Sequence, residues 1–523
     1  MRGAIAAGHP LTAEVGAQIL REGGNAVDAC IAAGAASWVT ESPLTGPAGG
    51  AFMLVHRARD RSDRLIDAFV TVPGLSRTRS PRAEMETVDI DFEGGETSQV
   101  FRIGAASCAV PGAVAGLAAA RHAYGSLPWR RLLEPAIGLA REGSELTRAQ
   151  AYLHAILDLI LRHADEGRKV YGVDGDRLGP GDVLRLPDLA ATLETLAEEG
   201  AEALYRGRLG RRVTEFMREH GGGISPRDLR EYRVIWRRPI RVPFFGHEFV
   251  SNPPPSSGGI LIGYGLRLID TLGPDGRPGS ADAISTLVEI MREQVRVREG
   301  RFASELYRGG LARRLYAEGA VRQAVDRIRA RPAAPREPAP PGGTTHISVV
   351  DARGNAASLS ASLGSGSGMI VPGTGIHMNN MLGEYDLLPS GRGGRAGRRL
   401  TSMMAPSTVL REGRPRLVVG SAGSVRLRGA IMQIVVNAVE HGLPIEEAIG
   451  SPRVHVDGPH VHCEGGFAPE ELDRLMAGGY DVLRWRRRNL FFGGAAGVEL
   501  LGDGTLAAAG DPRRGGHGLV VEA

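Results

Sequence analysis

Lysine is almost missing. Lys169 is the only one in 523 residues, and arginine carries nearly all the positive charge. The formal net charge is only +4, the arginines are scattered, and no aromatic platform lies beside them, so no nucleic-acid surface is expected. The clusters "WRRRN" and "RGGRAGRR" read as solvated loops. Cysteine is scarce: Cys30, Cys108 and Cys463 are the full set. An odd, sparse set excludes a disulfide framework and fits a reducing compartment. There is no run of eighteen apolar residues, so no membrane span is expected. "MRGAIAAGHP" has no apolar core of signal-peptide length, which points to a cytoplasmic protein. No HExxH arrangement supports zinc.

Glycine, by contrast, is abundant, at 74 residues, which implies many turns and close backbone approaches. The length suits one large layered domain or two to four ordinary ones. Residues 11–40 read as helix, broken at Gly23-Gly24. "AFMLVHRA" and "DRLIDAFV" read as strands, and residues 111–220 as mainly helical. Residues 240–251 read as a strand. "NPPPSSGGILIGYGLRLID" reads as a rigid turn opening a helix, with Ser256 or Ser257 as its cap. The Pro/Ala/Arg stretch ending at Gly343 is the strongest shift in composition. Strands at 345–350 and 356–362, a helix at 426–441 and a β-rich tail follow. Strands from both halves suggest one layered α/β core.

"PAPPGGTTHISVVDARGN" raises a chemical question at Thr344. A threonine at a strand start is ordinarily a turn residue. Its hydroxyl is a weak nucleophile unless a base activates it. The α-amine of an N-terminal threonine can be that base. Its pKa of about 7.7–8.0 suits general base catalysis. Thr344 becomes N-terminal only by attacking the Gly343 carbonyl and cutting its own chain. Glycine at 343 minimises crowding at that carbonyl.

These residues resemble the γ-glutamyltransferase family of self-cleaving N-terminal-nucleophile hydrolases. "GHPLTAEVGAQILREGGNAVDACIAAG" and "ESPLTGPAGGAFMLV" resemble the family's opening. "AVPGAVAGL", "PPPSSGGI", "TTHISVVDARGNAASLSASLGSGSG", "GIHMNNM", "LTSMMAPS", "GSAGSVR" and "GDPRRGG" follow in the family's order. The resemblance spans almost the whole chain. It implies a four-layer αββα sandwich and cleavage between Gly343 and Thr344. It implies a large subunit, 1–343, a small subunit, 344–523, and a processing loop at 330–343. The two subunits would stay associated, and no cofactor or metal is implied.

Thr344 then matches the nucleophile, and Ser362 a second hydroxyl that hydrogen-bonds it. Gly423 and Ser424 match a glycine pair whose N–H groups form an oxyanion hole. Thr401 and Ser402 match a Ser-Ser pair that holds a substrate carboxylate. The departures lie on the substrate side. Phe69, in "DAFV", stands where the family has an arginine for the substrate α-carboxylate. Gly364 replaces a substrate-binding asparagine. Met381 stands for a Gln or Glu, and Glu384 for an aspartate. The lid from Glu384 to Thr401 is short and rich in Gly and Arg. The catalytic half of the site matches the family and the γ-glutamyl half does not. Losing one charge-assisted pair removes about 1.5–3 kcal/mol of recognition.

A small-molecule substrate with an apolar or aromatic part against Phe69 and Met381 is therefore expected. A carboxylate could still be held by Thr401/Ser402 or by a loop arginine. The pattern is similar to a branch that acts in antibiotic biosynthesis, on alkylproline units. That branch is linked to hydrolytic C–C cleavage of a ring-opened, tyrosine-derived intermediate. The alternatives are an ordinary γ-glutamyl or other amide hydrolase or transpeptidase, and a binding scaffold without activity. His346 should share a strand face with Thr344, as packing rather than base. "RVHVDGPHVHCEGG", with His455, His460, His462 and Cys463, reads as a hairpin rather than a metal site.

Overall fold

A computed structural model of the chain describes residues 2–76, 83–92, 97–273, 276–330, 343–384, 387 and 394–522. Most of the expected processing loop, 331–342, and half of the lid after Glu384 lie outside the described residues.

Two antiparallel sheets stack face to face. In the first, the strands run in the spatial order Ile235–Arg237, Ser62–Ala68, Gly50–Arg57, Ala356–Ser362, Thr345–Asp351, Gly3–Ala7 and His517–Val521. The second runs Ile240–Phe244, His247–Ser251, Ser407–Arg411, Arg414–Ala422, Gly494–Leu500 and Leu506–Gly510. Both sheets therefore interleave strands from the two sides of Gly343. Helices Pro10–Arg21 and Ala26–Thr40 cover the first sheet. Helices Gly258–Leu272 and Arg426–Val439 cover the second. The result is the expected αββα order of layers.

Small residues let the layers close up. Ala4, Ala6, Ala356 and Ala496 pack with Val350, Val418 and Val498 between the sheets. Every residue of helix Ala26–Thr40 is buried, which its Ala/Gly content permits. Asn25 and Asp28 form a capping box at its start. The predicted break at Gly23-Gly24 is present, and Gly23 has φ +89°.

Strand Thr345–Asp351 is buried on both faces. Its alternation sends Ile347 and Val349 toward the helices and Val350 toward the other sheet. Thr345 shares the helix side, and Thr344 the side between the sheets.

Two local expectations need correction. Residues 240–251 form a hairpin of two strands rather than one strand. Its turn, Phe245-Gly246, has φ +43° and +72°. A phenylalanine in a left-handed position breaks the usual Asn-Gly signature of such turns, so the pattern read as continuous. Neither Ser256 nor Ser257 caps helix Gly258–Leu272 with its side chain. Both hydroxyls donate instead to the Ser402 carbonyl, at 2.9 and 3.1 Å. The Ser257 N–H reaches the same oxygen at 2.8 Å.

Among the described residues, no helix is long and apolar enough to cross a membrane.

Candidate active site

Thr344 enters the first sheet where its neighbours converge. Leu363 N donates to Leu44 O at 2.8 Å, drawing the end of strand Ala356–Ser362 over the junction. The Ser362 hydroxyl donates to the Gly343 carbonyl. The Gly364 N–H donates to that hydroxyl at 2.8 Å and sets its direction. The resemblance implied a bond from Ser362 to the nucleophile. In this unprocessed chain the hydroxyl goes to the carbonyl that Thr344 would attack. Gly343 has no room for a side chain: a Cβ would lie 2.3 Å from Gly364 O.

Thr344 lines a cavity of about 20 Å³ together with Phe69, Ser362, Met381, Glu384, Ser402 and Ser424. Seven of the predicted site residues thus meet. Leu387, Met403, Met404 and Leu427 complete the wall. These four were not singled out, although Met403 and Met404 lie inside the quoted "LTSMMAPS" and Leu427 directly follows "GSAGSVR". Among the described residues, Glu384 is the one ionisable side chain in the lining.

Gly423 and Ser424 form the turn between strand Arg414–Ala422 and helix Arg426–Val439. Their φ values are +121° and +53°. A strand–turn–helix with this backbone presents N–H groups and the positive end of a helix dipole. Serine at a left-handed position costs about 1–2 kcal/mol relative to a relaxed backbone.

Phe69 is buried, and its ring stacks on Phe52 at 5.2 Å. Gly364 has φ +73°, and a Cβ there would lie 2.0 Å from Asn380 Oδ1 and 2.5 Å from Glu384 Oε1. No side chain fits at 364 while Asn380 and Glu384 hold these positions. Asn380 also accepts from Ser365 N at 2.9 Å, so it shapes the loop. Thr401 is buried and its hydroxyl makes no hydrogen bond. It does not line the cavity, and neither do Gly364 and Gly423.

Of the arginines in the Gly/Arg-rich loop, Arg399 is committed elsewhere, and Arg392 lies outside the described residues. The Arg399 guanidinium donates to the carbonyls of Phe69, Asp67 and Arg233. It also meets the Tyr232 hydroxyl at 2.7 Å and the Asp67 carboxylate at 3.2 Å. It braces the Phe69 backbone and does not line the cavity.

His346 is sandwiched between Ser360 Oγ at 2.8 Å and Ser348 Oγ at 3.0 Å. Burial lowers its pKa to about 3, so the ring is neutral. Strands Val454–Asp457 and His460–Cys463 pair as a hairpin, as read. His462 accepts from the Trp485 indole at 3.1 Å, and His460 pairs with Asp481. Among the described residues, no group of three His, Cys, Asp or Glu could hold a metal.

Two charged residues near Thr344 were missed. Arg514 donates to the Thr344 carbonyl at 3.2 Å, and Glu41 accepts from Thr345 Oγ1 at 2.7 Å. Their contacts join positions far apart in the sequence, and one of them is to backbone.

Residues 12–521 match the family model described as Gamma-glutamyltranspeptidase. The Acylase ACY 1 proenzyme of Pseudomonas sp. (strain SE83) is 33% identical over 536 residues, covering 99% of this chain and 94% of that protein. The Glutathione hydrolase proenzyme of Escherichia coli (strain K12) is 30% identical over 538 residues, covering 98% and 90%. The crystal structure of cephalosporin acylase from Bacillus halodurans superimposes with a TM-score of 0.86 at 25% identity, covering 100% of this chain and 96% of that one. With the motifs in order, the two interleaved sheets and a match along nearly its whole length, the chain belongs to the gamma-glutamyltranspeptidase family of N-terminal-nucleophile hydrolases.

Proposed function

We propose that Thr344, freed by self-cleavage at Gly343, is the nucleophile of a hydrolase that takes an apolar or aromatic acyl group. The observation that carries this is the wall of the cavity. Phe69, Met381, Leu387, Met403, Met404 and Leu427 make it apolar, and among the described residues no lining residue is cationic. A free α-carboxylate would enter this space without a counter-charge. A γ-glutamyl group is therefore a poor fit.

Cleavage begins when the Thr344 hydroxyl adds to the Gly343 carbonyl. Ser362 stabilises the oxygen of that carbonyl as it gains charge. The C–N bond breaks, the nitrogen takes up a proton, and the acyl group rests on the hydroxyl as an ester. Water hydrolyses the ester, giving a carboxylate at Gly343 and a free amine at Thr344. Residues 1–343 and 344–523 remain joined as two subunits, because each sheet contains strands from both. In turnover the amine takes the hydroxyl proton while the oxygen attacks the substrate carbonyl. The Gly423-Ser424 turn serves as the oxyanion hole. Acyl transfer to the threonine and hydrolysis of the ester complete the cycle. In the unprocessed chain the cavity holds about one water molecule. Departure of the segment before Thr344 is what makes room for substrate.

The names of the acylase relatives support an amide substrate. C–C hydrolysis of a tyrosine-derived ketone is the second reading. The flat wall formed by Phe69 on Phe52 favours its aromatic part, and the same hole would serve a ketone oxygen.

Intact mass of the purified protein decides the first step. Two pieces, one starting Thr344-Thr345-His346, are expected, with Thr344→Ala remaining whole. Cleavage in that variant would overturn the assignment. The processed protein should then hydrolyse phenylacyl anilides or aryl ketones faster than a γ-glutamyl anilide. Phe69→Arg should lower that activity. A γ-glutamyl anilide as the best substrate would refute the apolar reading.

A further inference from the structure

The side of the nucleophile strand turned away from the catalytic cavity carries a second buried polar cluster. Glu41 accepts from the Thr345 hydroxyl, and Arg514 donates to the Thr344 carbonyl. One anion and one cation thus hold two consecutive residues.

Glu41 is placed at a cost. It is the C-cap residue of helix Ala26–Thr40, where the helix dipole is negative and an anion is disfavoured. It is 5% exposed, and its Oε1 is buried with no hydrogen-bond partner. Gly8 gives it space, since a Cβ there would lie 2.4 Å from Glu41 Oε2. Gln150 and His154 face the same small cavity, each with a buried polar atom that makes no hydrogen bond. Packing alone does not call for a carboxylate in this position.

We propose that Glu41 is a positioning residue for Thr344: with Arg514 it fixes the backbone of residues 344–345, so that the Thr344 hydroxyl is presented to the Gly343 carbonyl. This rests on the self-cleavage reading above and adds a residue to it. Glu41 does not line the catalytic cavity.

The clamp has a pH signature. Burial pushes the Glu41 carboxyl up to about 7, against the pull of the Thr345 hydroxyl and the Arg514 charge. Among the described residues, Arg514 and His154 share its cavity, and burial lowers His154 to about 4 and keeps it neutral; His9, next to Gly8 in the chain, is also lowered to about 4, and Tyr171, packed on His154, is pushed up to about 12. In the unprocessed chain the Thr344 nitrogen is part of a peptide bond and does not titrate. Within this cluster, Glu41 is the group that changes charge near neutral pH. Its ionised form is the stronger acceptor for Thr345 and the better partner for Arg514. Cleavage should accelerate as pH rises through about 7.

The test follows cleavage of freshly synthesised chain by intact mass, on both sides of neutral pH. Glu41→Ala and Thr345→Val are expected to slow cleavage roughly ten- to a hundredfold, the loss of a hydrogen bond to a charged group. Glu41→Gln keeps a neutral acceptor and should cleave at every pH near the rate the unaltered chain shows below about pH 7, faster than Glu41→Ala and without the pH dependence. Wild-type speed in Glu41→Ala, or a wild-type pH profile in Glu41→Gln, overturns the proposal. So do rate losses that merely follow losses of melting temperature. If the unaltered chain never cleaves, the nucleophile reading fails, and Glu41 is tested separately by melting Thr344→Ala against Thr344→Ala/Glu41→Gln. A carboxyl raised from 4.5 to about 7 in the fold loses stability as pH rises between those values. The double variant should gain relative stability over that window. A pH-independent difference overturns the placement of Glu41.

Discussion

Replacing Ser362 by alanine tests the geometry of self-cleavage directly. The hydroxyl makes two buried bonds, donating to Gly343 O and accepting from Gly364 N. Alanine leaves a buried carbonyl and a buried N–H unpaired, each costing about 1–3 kcal/mol. That part weakens the ground state and should appear as a lower melting temperature. The kinetic part is separate. The Gly343 oxygen gains negative charge during attack, and a donor aimed at it becomes more valuable. Removing such a donor costs about 2.7–4 kcal/mol, or roughly 10²–10³ in rate. Ser362→Thr retains the hydroxyl on a side chain suited to a strand end and should restore cleavage. The assay is a time course of intact mass on freshly synthesised chain, with Thr344→Ala as the uncleaved reference. Cleavage of Ser362→Ala at nearly the wild-type rate would refute this use of the hydroxyl, whatever its effect on melting.

Acid should destabilise the protein early. Burial lowers His9, His154, His377 and His462 to about 4 and His346 to about 3. Their contribution is present above the ordinary 6.5 and is lost as pH falls toward 4, at about 1.4 kcal/mol per histidine per pH unit; a flat melting profile over that range would refute the neutral rings. Asp511 accepts from Arg453 at 2.7 Å and from Arg513 at 3.1 Å inside the protein. Asp511→Ala should cost about 3–5 kcal/mol in denaturant unfolding of the Thr344→Ala chain. It should also slow cleavage, because Arg514 hangs from the same turn; a loss under about 1 kcal/mol would equate the pair with a surface bridge.

One layered α/β core was legible because strand patterns stand on both sides of the loop before Thr344, while the four-layer αββα order came from the resemblance; Arg426–Val439 and Thr345–Asp351 are buried nearly all round and carry no one-faced pattern. Thr344, Ser362, Phe69, Met381, Glu384, Ser402 and Ser424 were legible as types because each sits in a short motif. What stayed hidden depends on backbone partners. The commitment of Arg399 could not be read because three of its five partners are backbone carbonyls, which leave no residue pattern. Ser256 and Ser257 looked like caps because the Ser402 carbonyl they hold is 145 positions or more away. Glu41 looked like a loop residue because its role depends on a strand more than 300 positions later. The misfit of any side chain at 364 needed the coordinates of Asn380.

The braiding of strands from both sides of Gly343 sets an order of events. A cut chain that unfolds must reassemble from two molecules, so its recovery depends on concentration. The uncut chain would refold as one molecule. Scission after folding would therefore make durability a matter of unfolding rate rather than equilibrium. A mature preparation diluted from denaturant should recover poorly where the Thr344→Ala precursor recovers well.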